Sequence, residues 1–258
     1  MPTSYWRPNA TEASDQDPIA RRLRMPPNGV VASPSRSPGL APERVTPQQA
    51  VADPAVMGRV LGLLGFAFLF TAGGVVLGRL VGPSALPVGI VGGFVALIAL
   101  LVLKEKAPLN LGVLYGFATL EGMVLSSLLE MLVGRGLGSI VLQAAAVTAA
   151  ITMAAGAYGA TTKRDLSTWG GVLFAGLLAV VASSFAAILL EAPIVSLVVT
   201  PFSAALFTGF IVYDLNRVAN VRGATEGTQI LLAVSIYLDI LNLFLDLLRL
   251  LVAFFGDD

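Results

Sequence analysis

From residue 60 onward the chain alternates long uncharged apolar runs with short breaks that carry its charges. The runs cover 60–78, 80–103, 136–162, 166–190 and 192–213, or 19, 24, 27, 25 and 22 residues. A helix rises about 1.5 Å per residue, so each run is long enough to cross about 30 Å of hydrocarbon. Two further segments, 109–129 and 230–255, are as apolar but are interrupted by Glu121 in the first and by Asp239, Asp246 and Arg249 in the second. The pattern predicts an all-α integral membrane protein with seven transmembrane helices. Glycines inside the runs, such as Gly73, Gly74, Gly92 and Gly93, point to helices packed closely against one another in lipid.

Before residue 55 the pattern disappears. Ten of the fifteen prolines fall there, in a stretch with no apolar period and therefore no face to bury. It also lacks the apolar core of a cleaved signal peptide. Residues 1 to about 55 are predicted to be a disordered, Pro-rich cytoplasmic tail, and 56–258 the seven-helix domain. The group Arg21, Arg22 and Arg24 is read as part of a solvated tail, with contact to lipid headgroups or a partner as the alternative.

Composition agrees with the pattern and narrows the chemistry. With 56% hydrophobic and 12% charged residues and a mean hydropathy of +0.83, the chain is too apolar for a soluble domain of its size. Sixteen basic residues balance sixteen acidic ones, so no basic excess points to nucleic acid. There is no cysteine and no histidine. That removes disulfides, thiol nucleophiles, Ser-His-Asp hydrolysis and His-held metals, and the chain is not expected to be an enzyme or to carry a cofactor.

Charge placement gives an orientation. The tail with Arg59, and then alternate connections bearing Lys104, Lys106, Lys163, Arg164, Arg217 and Arg222, hold thirteen of the basic residues; only Arg79, Arg135 and Arg249 fall on the other side. Positive charge stays cytoplasmic. The protein is therefore expected in the cell membrane with its N-terminus on the cytoplasmic side, and seven spans put Asp257 and Asp258 outside.

Ionisable groups within spans cost about 2.5–3.5 kcal/mol each near a helix centre, so they mark the candidate site. Glu121 lies mid-span with Thr119, Ser126 and Ser127 as expected polar neighbours; hydrogen bonding between helices and membership of an ion path are both open to it. In the last helix Asp239, Asn242, Asp246 and Arg249 are spaced three, four and three, which places them on one face. Its eighteen Leu, Ile, Val and Phe residues offer about 5–11 kcal/mol of insertion against about 7–10 for three central ionisable groups. A lipid-exposed position is thus unfavourable, and the helix is predicted to lie inside the bundle. Asp246 and Arg249 are expected to neutralise each other at i, i+3.

Asp214 could form an ordinary pair with Arg217, but hairpin geometry suggests another partner. With a turn at 223–227, Asp214 and Asp239 lie about 14 and 18 Å from it along their helices and come nearly level. Two close carboxylates in a poorly hydrated site cannot both ionise cheaply, so the pair holds a proton or binds a cation. That is the physics of a pH-gated cation site.

The segments IVYDLNRV and SIYLDILNLFLDLLRLL resemble the C-terminal signature of the Bax inhibitor-1 family, and FATLEGMVLSS is similar to that family's third-helix motif. The resemblance implies seven helices over 57–258 with the last one central. It also implies an aspartate pair, Asp214 and Asp239 here, that shares protons and regulates a calcium leak in bacterial members. Some members add an acidic residue in the second span and an Arg near its end; read without gaps from Lys106, those positions are Gly92 and Leu103.

The leading expectation is a pH-sensitive calcium leak with Asp214 and Asp239 as the pH-sensing and cation-binding residues and Glu121, Asn242, Asp246, Arg249 and Arg217 as the polar network around them. Its partners would be the bilayer, protons and calcium. The alternative is a regulator that binds another membrane protein, such as a protease or cell-death factor. An intramembrane aspartyl protease is a third class, but SIYL precedes Asp239 where those enzymes carry GxG, and no PAL motif is present.

Overall fold

A computed structural model describes residues 54–191 and 193–256. The expected tail lies outside the described residues except for Pro54 and Ala55, as do Asp257 and Asp258. Among the described residues there are seven α-helices and no strand: α1 (Pro54–Val81), α2 (Ala85–Leu103), α3 (Leu109–Gly134), α4 (Gly138–Thr161), α5 (Trp169–Leu189), α6 (Pro193–Asn220) and α7 (Glu226–Phe255). Six helical stretches are long and apolar enough to cross a membrane, because α1, a single 3-10 turn at Gly82–Ser84 and α2 run on as one stretch of 50 residues, Pro54–Leu103. Large apolar side chains cover the outside, Leu80 and Leu189 each being 80% exposed, which is the surface a hydrocarbon solvent accepts and water does not.

Small residues set how the first three helices meet. A Cβ on Gly74 would collide with the carbonyl of Thr119, and one on Gly122 with the carbonyl of Thr71. Without Cβ atoms the backbones of α1 and α3 can approach to contact. Moving from Gly74 to Gly78 on α1 moves the contact from Thr119 and Gly122 to Met123 and Ser126 on α3, so these helices run parallel. On α2 the sense reverses, with Gly89 against Val124 and Gly92 against Leu120. The chain therefore turns back between α1 and α2. Gly82 makes the reversal with φ +72°, a conformation that costs a residue with a Cβ far more.

Connections gather at two ends. At one end Arg59 on α1 bonds Glu226 at the start of α7 at 2.8 Å, and Thr225 donates to Glu105 in the α2–α3 connection at 2.9 Å. At the other end Arg79 of α1 pairs with Glu130 of α3 at 3.3 Å. The α4–α5 connection shares the first end, because Gly159 near the end of α4 lies against Val212 in the last third of α6. Helix α7 begins with Thr225 as its cap, the side chain accepting from the Thr228 N–H at 3.2 Å, and with Glu226 at the positive end of the helix dipole.

Of the six membrane-length stretches α7 is the most enclosed: 61% of its apolar window is buried against 11–33% for the others. It packs on α6, α4 and α1 and touches α3, while α2 leans on α3 and α5 on α6. The main core follows it, with Ile230, Ile236, Tyr237 and Leu243 wholly enclosed. A smaller cluster of Leu132, Ile140, Ala144 and Leu248 closes the far end.

Candidate functional site

Three carboxylates lie along the contact between α6 and α7. Asp214, Asp239 and Asp246 are only 2, 6 and 5% exposed, an expensive position for any charge. Ser235 of α7 is the polar neighbour of Asp214, with the Arg217 charge as a weaker influence. Ser203 of α6 is the polar neighbour of Asp246, with Arg249 the weaker influence. The neutralising pair expected of Asp246 and Arg249 is thus secondary: Arg249 is exposed, and a serine on the neighbouring helix is the stronger polar influence.

These contacts share one register. Eleven residues separate Ser203 from Asp214 and eleven separate Ser235 from Asp246, which on antiparallel helices makes two rungs about 16 Å apart. Asp239 lies between the rungs, one turn beyond Ser235 and close enough to Asp214 for that charge to act on it. Each of the three carboxylates leaves Oδ2 buried without a hydrogen-bond partner.

The other expected members are placed differently. Asn242 donates to the Leu238 carbonyl of its own helix at 2.8 Å. Thr119 and Ser126 donate to the carbonyls of Tyr115 and Met123, so they turn toward their own helix and do not serve Glu121 as expected. The half-buried Glu121 instead lies against Gly93 of α2, and its charge reaches Tyr237. Tyr237 bonds Thr71 of α1 at 2.8 Å and sits between Phe68 and Phe117. It is two residues from Asp239, hence on the opposite side of α7.

The family model described as inhibitor of apoptosis-promoting Bax1 matches residues 54–256, from the first residue of α1 to just beyond the end of α7. The chain belongs to this family. A Golgi anti-apoptotic protein of vaccinia virus is 37% identical over 160 residues, 62% of this chain and 65% of its own. Protein lifeguard 4 of Mus musculus is 32% identical over 171 residues, 66% and 69% of the two chains. An uncharacterized membrane protein of Vibrio cholerae is 36% identical over 136 residues, 52% and 60%. The chain thus spans about two thirds of the length of the relatives it matches. As a Bax inhibitor-1 family member with several apolar helices it is a multi-pass membrane protein in contact with a lipid bilayer.

Sequence reasoning missed Ser203 and Ser235, although the signal was present. Ser235 precedes Asp239 by four residues and Ser203 precedes Asp214 by eleven, or three helical turns, so each shares a face with its aspartate. The Thr71 contact of Tyr237 had no such signal, because it joins helices 166 residues apart.

Proposed function

We propose that this protein is a pH-sensitive cation leak, with calcium as the permeant ion, whose path is controlled by Asp214 and Asp239. In this reading α1 and α2 are separate crossings, giving seven spans in the cell membrane with the N-terminus cytoplasmic. The reversal at Gly82 and the gathering of Arg59, Lys104, Lys106, Lys163, Arg164, Arg217 and Arg222 toward one end support it. The observation that carries the functional reading is the enclosed approach of two carboxylates, each with an oxygen lacking a partner.

The mechanism is electrostatic. At low pH a shared proton lets the carboxylates stay together with α6 and α7 closed on them. As pH rises, two ionised groups repel each other and attract a cation into the seam. Calcium takes six to eight oxygen ligands for a firm hold. No group of three or more acidic side chains suited to a metal occurs among the described residues, so the ion would be held incompletely, as suits passage more than storage.

A second reading is a regulator that acts by binding another membrane protein, and it is the one compatible with the names anti-apoptotic protein and inhibitor of apoptosis-promoting Bax1 that relatives and family carry. Purified protein in liposomes separates the two. Calcium flux that rises with pH in wild type and loses its pH dependence in Asp214→Asn and Asp239→Asn supports the leak, with Asp246→Asn retaining the response. Absence of flux from the purified protein alone leaves the regulator; loss of the response only in Asp246→Asn moves the site to the other rung.

A further inference from the structure

Where the α4–α5 connection passes the end of α6, a cavity of about 970 Å³ opens among side chains of which only Arg217 also bears on the aspartate seam. Lys163 and Arg164 come from the connection and Arg217 from α6, with the Thr162 and Ser167 hydroxyls and the Tyr213 phenol in the same wall. All three cations are exposed, so their charges are not consumed by burial and can meet a ligand. One acid, Asp165, shares the wall. The Ser167 backbone N–H donates to it at 2.9 Å and holds its carboxyl below the usual range, so it stays ionised and the four charges leave the wall at a net plus two. Arg offers a planar fork of donors to phosphate oxygens and Lys a compact charge, the combination that phosphate recognition uses.

The level of the cavity along the bundle narrows the ligand. Trp169, the first residue of α5, is 48% exposed beside it, and Tyr158, one turn from the end of α4, is 49% exposed. Exposed Trp and Tyr at the ends of membrane helices sit at the headgroup layer, where a ring can be half in hydrocarbon and half in water. A cationic cavity at that depth meets the phosphodiester of a lipid before any soluble anion. The geometry points to a binding site for a phosphate-bearing anion, the phosphodiester of an anionic phospholipid, formed by Lys163, Arg164 and Arg217. Gly170 is part of the construction: a Cβ there would come within 2.7 Å of the Tyr213 hydroxyl and push the phenol into the cavity. This site does not depend on whether the aspartate pair conducts ions.

The test uses the full chain purified in a neutral detergent, with native mass spectrometry of bound phosphatidylglycerol and, separately, of phosphatidylcholine with the same acyl chains. Wild type is expected to retain phosphatidylglycerol over phosphatidylcholine, and Lys163→Gln with Arg164→Gln to weaken that retention at least about tenfold. The pair Lys163→Arg with Arg164→Lys keeps the charge and is expected to restore it, while Arg135→Gln at the opposite end is expected to leave it unchanged. A second arm titrates inorganic phosphate into lipid-stripped protein. Phosphate binding that depends on Lys163 and Arg164, without lipid retention, keeps the anion site and assigns it a soluble ligand. Equal retention by wild type and the double Gln variant, an equal loss in Arg135→Gln, or no binding in either arm overturns the proposal.

Discussion

Asp214 on α6 has Ser235 of α7 as its polar neighbour, and eleven residues along both helices Asp246 has Ser203 of α6. Each hydroxyl faces an acid enclosed in the bundle, where burial is the main cost of carrying charge. Ser235→Ala takes from an ionised Asp214 the neighbouring hydroxyl that could donate to it. Calcium flux at neutral pH is expected to fall severalfold in this variant, with the Asp214→Asn variant insensitive to the added Ser235→Ala change. Flux unchanged by Ser235→Ala in an otherwise wild-type chain would remove the serine from the mechanism.

The close approach of α1 and α3 makes a packing prediction. Gly122→Ala drives a methyl group into the Thr71 carbonyl and is expected to destabilise the protein by about 1–3 kcal/mol, the usual cost of overpacking. Gly112→Ala lies on the same helix with nothing within 4 Å and is expected to be neutral or to stabilise by up to about 1 kcal/mol through helix propensity. Thermal unfolding in detergent ranks them, and equal effects would deny the contact.

At the end where α7 starts, a cap is expected to outweigh an ion pair. Thr225→Ala loses the bond to the Thr228 N–H and the one to Glu105, a cost of about 0.5–2 kcal/mol. Arg59→Ala loses an exposed pair with Glu226, worth about 0–1 kcal/mol. Thermal stability at high salt checks the assignment, because salt erases the second effect and leaves the first.

The absence of native cysteine permits a clean topology measurement with single introduced cysteines. Ser84→Cys and Arg135→Cys are expected to label from outside the cell, and Lys106→Cys, Lys163→Cys and Arg222→Cys only after the membrane is opened. Labelling of Ser84→Cys with the second group would mean that α1 and α2 together do not form two crossings.

Much of this architecture is legible in the sequence because hydrocarbon imposes a simple rule: uncharged runs of sufficient length become helices, and their glycines mark contacts. The polar face of α7 and the partnership of α6 with α7 follow from period and hairpin arithmetic. Glu121 does not follow. Its neighbours in sequence satisfy their own backbone carbonyls, as Ser and Thr in lipid-facing helices readily do, and its actual surroundings come from Gly93 on α2 and Tyr237 on α7. The surroundings of the third carboxylate are only partly legible for a related reason: an i, i+3 cation is visible in the sequence, whereas Ser203, 43 positions away, becomes a neighbour of Asp246 only when α6 and α7 pack.

Helix α7 presents opposite sides to different parts of the protein, Asp239 toward α6 and Tyr237 toward Thr71 on α1. A rigid rod gripped on both flanks cannot slide or turn at one without disturbing the other. If separation of the aspartates displaces α7, the hydroxyl pair across the bundle must stretch or follow, and α1 becomes the distant sensor of a protonation event it never touches. A reporter on α1 near Thr71 would then register acidification with the same midpoint as ion flow.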